Sequence, residues 1–254
     1  MPSDSTSPEE MSELGLDDSF SFACDPDVSC FNACCRDLNQ FLTPYDVLRL
    51  ARHLGMASGE FLGRYTAVHT GPQTGLPVVT LKPGDNVFLI CPFVSEAGCR
   101  VYSDRPASCR IYPLIRVLAR SRETGETYAR YMLLKEPHCK GFDRGTPQTV
   151  RQWMADQGLS PYNRMNDALM SVIALKNQML EGPLPKPLAD FFYAACYDLD
   201  GFRGQLKAGD TDMTDTALEA PDPETAADEV LLQFSLDRLA ERIRHAAAEV
   251  TDGA

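Results

Sequence analysis

CPFVSEAGCRVYSDRPASCRIYP, residues 91–113, sets Cys91, Cys99 and Cys109 in one turn-rich segment between two β-rich stretches. Upstream, FACDPDVSCFNACCR (22–36) holds Cys24, Cys30 and the adjacent pair Cys34-Cys35; downstream, HCKG holds Cys139. Eight of the nine cysteines therefore fall in loop or strand-end contexts. Loops of this kind cannot draw enough ordering free energy from a core of their own. A bound metal ion supplies it. In a chain of 254 residues that keeps its thiols reduced, clustered cysteines point to metal binding or redox chemistry before disulfides.

The periodicity around these loops places them on a scaffold. Leu76–Leu81 and Val87–Ile90 flank Lys82-Pro83-Gly84-Asp85-Asn86 and predict a hairpin. Leu114–Arg120 and Thr127–Leu134, joined through Glu123-Thr124-Gly125-Glu126, predict a second. Thr43-Pro44 predicts a capped helix ending at Gly55, and a short helix is expected from Ser58 to about Val68. Thr146-Pro147 predicts another cap. Helical spacing then runs over Asn163–Leu180 and Leu188–Leu206, with a break expected near Gly201. Leu231, Leu232, Phe234, Leu236, Leu239, Ile243 and Ala247 give a last amphipathic helix. The expected fold class is α+β: mostly helical, with a small antiparallel β-sheet and a cysteine-rich metal-binding loop region.

The domain reading follows. Residues 1–20 are an acidic leader expected to be disordered, and 21–145 a cysteine-cluster metal-binding domain. Residues 146–208 are a helical extension packed on it, 209–229 an acidic linker and 230–254 the C-terminal helix. The net charge of −12 is uneven. Residues 100–151 hold eleven Lys/Arg against five Asp/Glu, among the cysteines, where cationic side chains offset thiolate charge. With the chain acidic overall and no aromatic-interleaved signature, nucleic acid is not an expected partner. The sequence has no apolar run of membrane-spanning length and no basic, apolar leader, so no membrane is expected and the cytoplasm is the default compartment.

Thiolates suit zinc and iron–sulfur clusters, each usually taking four. The candidate ligands are Cys24, Cys30, Cys34, Cys35, Cys91, Cys99, Cys109 and Cys139. Spacing alone does not separate zinc from iron, because neither a CxxC…CxxC ribbon nor a ferredoxin run is present. In extended chain, Cys34 and Cys35 point to opposite sides, so either they serve two neighbouring metals or one ligates while the other is free. Arg105, Arg110 and Tyr112 are candidates for supporting the sulfurs or binding an anion; the alternative is that the arginines hold loop carbonyls. Cys196, in FFYAACY, reads as a core residue. No catalytic residue is identified.

On FAC(x5)CFNACCR (22–36), the 91–113 segment and HCKGFDRG (138–145), the chain resembles the YkgJ-type cysteine-cluster family, described as chelating zinc or iron. The family's first string is closer to CxxCGxCC. Here five residues separate Cys24 from Cys30, and Asn32-Ala33 occupies the glycine-containing step. The resemblance implies a metal-binding protein with a role in metal handling or redox chemistry. A more generic similarity to the flagellin lysine N-methylases implies an iron–sulfur-dependent protein-modifying enzyme. It lacks support from any CxxxCxxC triad or GxGxG loop. A third possibility is a zinc-stapled interaction module that docks a protein partner through its C-terminal helix.

Overall fold

The computed structural model describes residues 10–36, 39–72, 74–84, 87–209 and 218–252. The fold is α+β, with helices and small antiparallel sheets. Its contacts divide it into two units interleaved along the chain: residues 1–37 with 93–161, and 38–92 with 162–254.

In the first unit, β8 (Leu114–Arg120) and β9 (Thr127–Lys135) form the expected hairpin, with Leu114 opposite Leu133 and Arg120 opposite Thr127. Its far edge is covered by β1 (Glu10–Leu14), which pairs antiparallel with β9, Leu14 opposite Tyr131. Residues 10–14 thus depart from the disorder expected of the leader. The unpaired N–H and C=O groups of β9 offered them a ladder, and Arg130 clasps Glu13 across it. Residues 1–9 lie outside the described residues.

β2 (Ser19–Ser21) pairs with β10 (Pro147–Thr149), Phe20 opposite Gln148. The helix cap predicted at Thr146-Pro147 falls instead at Thr149. Its hydroxyl accepts from the Gln152 N–H, while the Gln152 side chain accepts from the Thr149 N–H, opening α4 (Val150–Asp156). Pro147, with no N–H to donate, is tolerated in this short strand. The core beneath the sheet gathers Phe20, Phe22, Leu114, Tyr131, Leu133 and Val150. Phe22 meets Tyr112 and Trp153 edge-on at 5.7 and 5.8 Å. Tyr112 and Cys139 pack on the same core, so the cysteine loops are laid directly on it.

In the second unit, α1 (Pro44–His53) begins as predicted, with Thr43 and Asp46 forming a reciprocal cap. The next helix, α2 (Ser58–Tyr65), stops short of Val68, because Thr66–Thr70 becomes strand β4. β4 and β3 (Phe41–Leu42) both pair with β5 (Pro77–Leu81). That accounts for the failure of the first predicted hairpin. With both edges of β5 taken, residues 87–89 form a turn, Leu89 at φ 48° and Val87 81% exposed, and Ile90 makes an isolated bridge, its carbonyl accepting from the Gly84 N–H at 2.7 Å. Asp85 and Asn86 of the predicted turn lie outside the described residues.

The helices of this unit are α5 (Ser160–Met179), α6 (Lys186–Tyr197), α7 (Leu199–Lys207) and α8 (Asp228–Asp252). The break expected near Gly201 comes at Asp198, whose carboxylate accepts from the Gly201 N–H at 3.2 Å. Residues 210–217 of the acidic linker lie outside the described residues. Leu231, Leu232, Leu236, Leu239 and Ile243 are fully buried, and the Ser235 hydroxyl of α8 donates to the Ala195 carbonyl of α6 at 2.7 Å. The apolar stripe expected to dock a protein partner is therefore consumed by the protein's own core. Among the described residues no helix is long and apolar enough to cross a membrane.

Candidate metal centre

Glycine decides how the cysteine loops meet. The Ala23 N–H donates to the Gly141 carbonyl at 3.0 Å. A Cβ on Gly141 would lie 2.4 Å from the Phe22 ring and 2.6 Å from the Ala23 oxygen. At Gly145, φ +98°, a Cβ would lie 2.6 Å from the Phe22 carbonyl carbon. Only a chain without side chains at these two points lets the Phe22-Ala23-Cys24 segment run against the segment after Cys139.

Between Cys24 and Cys30 the five inserted residues fold into turns: the Asp25 carboxylate accepts from the Asp27 N–H at 2.9 Å, and the Phe31 N–H reaches the Val28 carbonyl at 2.8 Å. Asn32 then takes the left-handed conformation, φ 64°, a region asparagine tolerates best after glycine. Its side-chain amide donates to the Ser95 carbonyl at 3.1 Å and ties this loop to the hairpin of β6 (Val94–Ser95) and β7 (Gly98–Cys99). Gly98, at φ +114°, leaves room for Phe31. Ala33–Cys35 form one turn of 3₁₀ helix. The extended geometry that would have sent Cys34 and Cys35 to opposite sides is absent, and the two side chains are hydrogen-bonded to each other.

In this unit Cys24 lies within electrostatic range of Cys30, Cys34 and Cys139. Burial, and then the nearby Cys34, Cys30 and Cys139, push the Cys24 thiol up to about 11. Cys139 is also raised, first by burial and in part by the nearby Cys30, while Tyr112 and the Gly141 N–H pull the other way. The Lys140 N–H donates to Cys30 Sγ at 3.1 Å. Cys34 is held at about 7, chiefly by the hydrogen bond from Cys35. Cys99, on β7, is raised by burial, lowered in part by the Val101 N–H and Arg105, and lies within electrostatic range of Cys34. Cys109 is exposed on α3 (Ala107–Ile111) and, like Cys99, acts on Arg105. Cys91 belongs to the second unit. Cys196 is buried in α6, as the sequence suggests.

The arginines are largely committed to loop backbone. Arg110, 8% exposed, donates to the Arg105 carbonyl at 3.0 Å, the Gln157 carbonyl at 2.7 Å and the Ser103 carbonyl. Arg105 donates to the Tyr102 carbonyl at 2.6 Å and the Gln157 side chain, and stacks 3.7 Å over the Tyr102 ring. Gln157 was not singled out in the sequence, because nothing local marks a glutamine as the anchor of two distant arginines. Glu136 was also missed; its carboxylate lies near Cys34 and Tyr112. The Tyr112 hydroxyl is buried beside Cys139 and Glu136, and its pKa is driven upward, first by burial. It has no hydrogen-bond partner of proper geometry.

Among the described residues no group of three or more His, Cys, Asp or Glu side chains stands in the arrangement one metal ion requires. In kind the donors suit zinc or iron: partly or fully exposed thiols oppose one another's ionisation, amide N–H groups face sulfur, and a buried hydroxyl beside them lacks a partner of proper geometry. A cation among them would relieve the mutual repulsion of the thiolates. This is the donor chemistry of a thiolate metal chelator. Residues 23–145 match the family model CxxCxxCC, "Putative zinc- or iron-chelating domain". No curated protein and no solved structure matches the chain.

Proposed function

We propose that the first unit chelates zinc or iron, iron as an iron–sulfur cluster, for metal handling or redox work. Cys24, Cys30, Cys34 and Cys139 form the inner group of ligands, with Cys35, Cys99 and Cys109 adjoining. Cys91 enters on the sequence motif alone. The observation that carries this reading is the gathering of four thiols from both ends of the family segment. Bound there, a metal supplies either a structural cross-link or an electron-transfer or Lewis-acid centre. The chain's own part is to hold sulfur: Lys140 and Gly141 direct N–H groups at Cys30 and Cys139, and Arg105 offsets charge near Cys99 and Cys109. An interaction module is disfavoured by the burial of the apolar face of α8.

The test is zinc titration of anaerobic, reduced protein against a chromophoric chelator. Cys30→Ser and Cys139→Ser should weaken zinc at least tenfold, the effect of losing one thiolate from a four-ligand site. Cys196→Ser should leave zinc affinity unchanged. Equal affinity in all of them would remove the four thiols from consideration.

A further inference from the structure

β8 ends the sheet of the first unit. The strand order is β1-β9-β8, and among the described residues β9 is the one strand that pairs with β8. The hairpin register shows which backbone groups face outward. The Ser121 N–H donates to the Glu126 carbonyl at 2.8 Å, and the Leu134 N–H to the Pro113 carbonyl at 2.9 Å. The odd-numbered positions of β8 therefore turn their N–H and C=O toward β9, and the even-numbered ones, Leu118 and Arg120 among them, turn theirs away. The side chains of Ile115, Val117 and Ala119 share a sheet face with Met132, Arg130 and Tyr128 opposite them. That face is turned from the core, which takes Leu114, Tyr131 and Leu133. Val117 is 46% exposed and Tyr128 50%. A seven-residue edge with an apolar row beside it is a template for another strand.

We propose that β8 pairs antiparallel with β8 of a second copy of this chain about a two-fold axis at Val117, joining two three-stranded sheets into one of six strands. The pairing is independent of the metal-binding reading. Charge fixes its register. Outward-facing positions must meet outward-facing positions, so near the middle of the strand the axis can fall at Arg116, Val117 or Leu118. At Arg116 that arginine would face its own copy, and at Leu118 it would face the second copy's Arg120; like charges directly opposite are destabilising. At Val117 the whole strand is used, Arg116 faces Leu118 of the second copy, and Arg120 faces its Leu114. Val117 then meets itself in a non-hydrogen-bonded pair, where side chains come closest, with Ile115 opposite Ala119 on either side. Tyr128 and Met132 extend this apolar row in each copy, and the charge of Arg130 is already paired with Glu13. A strand that meets its own copy with each arginine opposite a leucine is self-complementary, which makes the occupant a second copy rather than a foreign strand. One strand pair with its side-chain rows falls below the roughly 1,200 Å² of standard complexes, so the dimer is reversible.

Sedimentation velocity of the reduced, full-length protein, from about 5 to about 500 µM, tests the proposal together with hydrogen–deuterium exchange over the same range. The expected result is a monomer–dimer equilibrium, with exchange at Leu118 and Arg120 slowing as concentration rises. Protein that stays monomeric throughout would overturn it, as would a dimer whose β8 amides exchange as fast as the monomer's. Because Val117 faces itself, Val117→Lys and Val117→Glu should each weaken dimerisation at least about tenfold, while an equimolar mixture of the two should restore it as a mixed dimer. Single variants that dimerise as strongly as the parent chain, or a mixture no stronger than either alone, would overturn the axis at Val117. Circular dichroism of each variant checks its folding, and the exchange measurement on the parent chain needs no variant to fold.

Discussion

A methyl group on Gly141 would collide with the Phe22 ring and the Ala23 carbonyl, at 2.4 and 2.6 Å; Phe22 is held by the core below and Ala23 by its N–H bond to the Gly141 carbonyl. Gly141→Ala is accordingly expected to destabilise by about 1–3 kcal/mol, read from the urea midpoint. Gly63→Ala is the contrast. Gly63 is exposed within α2, and a Cβ there meets nothing within 4 Å, so the change should stabilise by about 0.5–1 kcal/mol. Tyr112→Phe removes a buried hydroxyl that lacks a hydrogen-bond partner, so the metal-free protein should lose no stability in the same assay. At this scale the sequence was partly legible. HCKGFDRG was recognisable as a motif, and Cys196 as core, but the need for Gly141 and Gly145 lies in their approach to Phe22, which no local pattern encodes. Asn32 is similar: its left-handed backbone is set by the turn it closes, which no local pattern encodes.

Helices and strands were legible where local chemistry decides them. Thr43-Pro44, the β8–β9 hairpin and the apolar stripe of α8 needed only caps, alternation and helical spacing. They were illegible where a distant partner decides. Residues 87–90 have strand-like composition but no free sheet edge, and residues 10–14 have leader-like composition but β9 to pair with. The joining of α1, α7 and α8 is another such long-range effect. Arg52 donates to Asp200 at 2.8 and 2.9 Å and to Asp228 at 2.6 and 3.1 Å, and Arg203 donates to Asp228 at 2.8 Å. Hydrogen bonds from Arg52 lead in holding both carboxyls below their ordinary value of 3.8. Their folded pKa values are depressed, so their contribution is present above about pH 4 and fades as pH falls through the folded values. Arg52→Ala should cost about 1 kcal/mol at pH 7, since the network is partly exposed. The deficit relative to the parent chain should shrink in acid. A deficit that stays constant down to pH 2 in an acid-unfolding series would contradict this role.

Across the whole molecule, the chain threads between two units, and the family segment 23–145 supplies residues to both. Consecutive domains were the natural reading of the composition shifts near residues 20, 145 and 209. Composition does not reveal that 38–92 shares a core with 162–254. The cysteines read in the sequence as candidate metal donors, and Cys24 lies within electrostatic range of Cys30, Cys34 and Cys139 in the first unit, on loops shaped by Gly141, Asn32 and Gly98. The arginines were only half legible: their position among the cysteines was visible, their commitment to carbonyls was not. The central claim is that these sulfurs share a metal. Elemental analysis of anaerobically purified protein, with Mössbauer spectra on an iron-57 preparation, tests it most directly. The account predicts at least about one zinc or iron per chain, with Cys24, Cys30, Cys34 and Cys139 protected from thiol reagents until a chelator is added. Protein that carries well under one metal per chain, with Cys24, Cys30, Cys34 and Cys139 freely titratable, would contradict it.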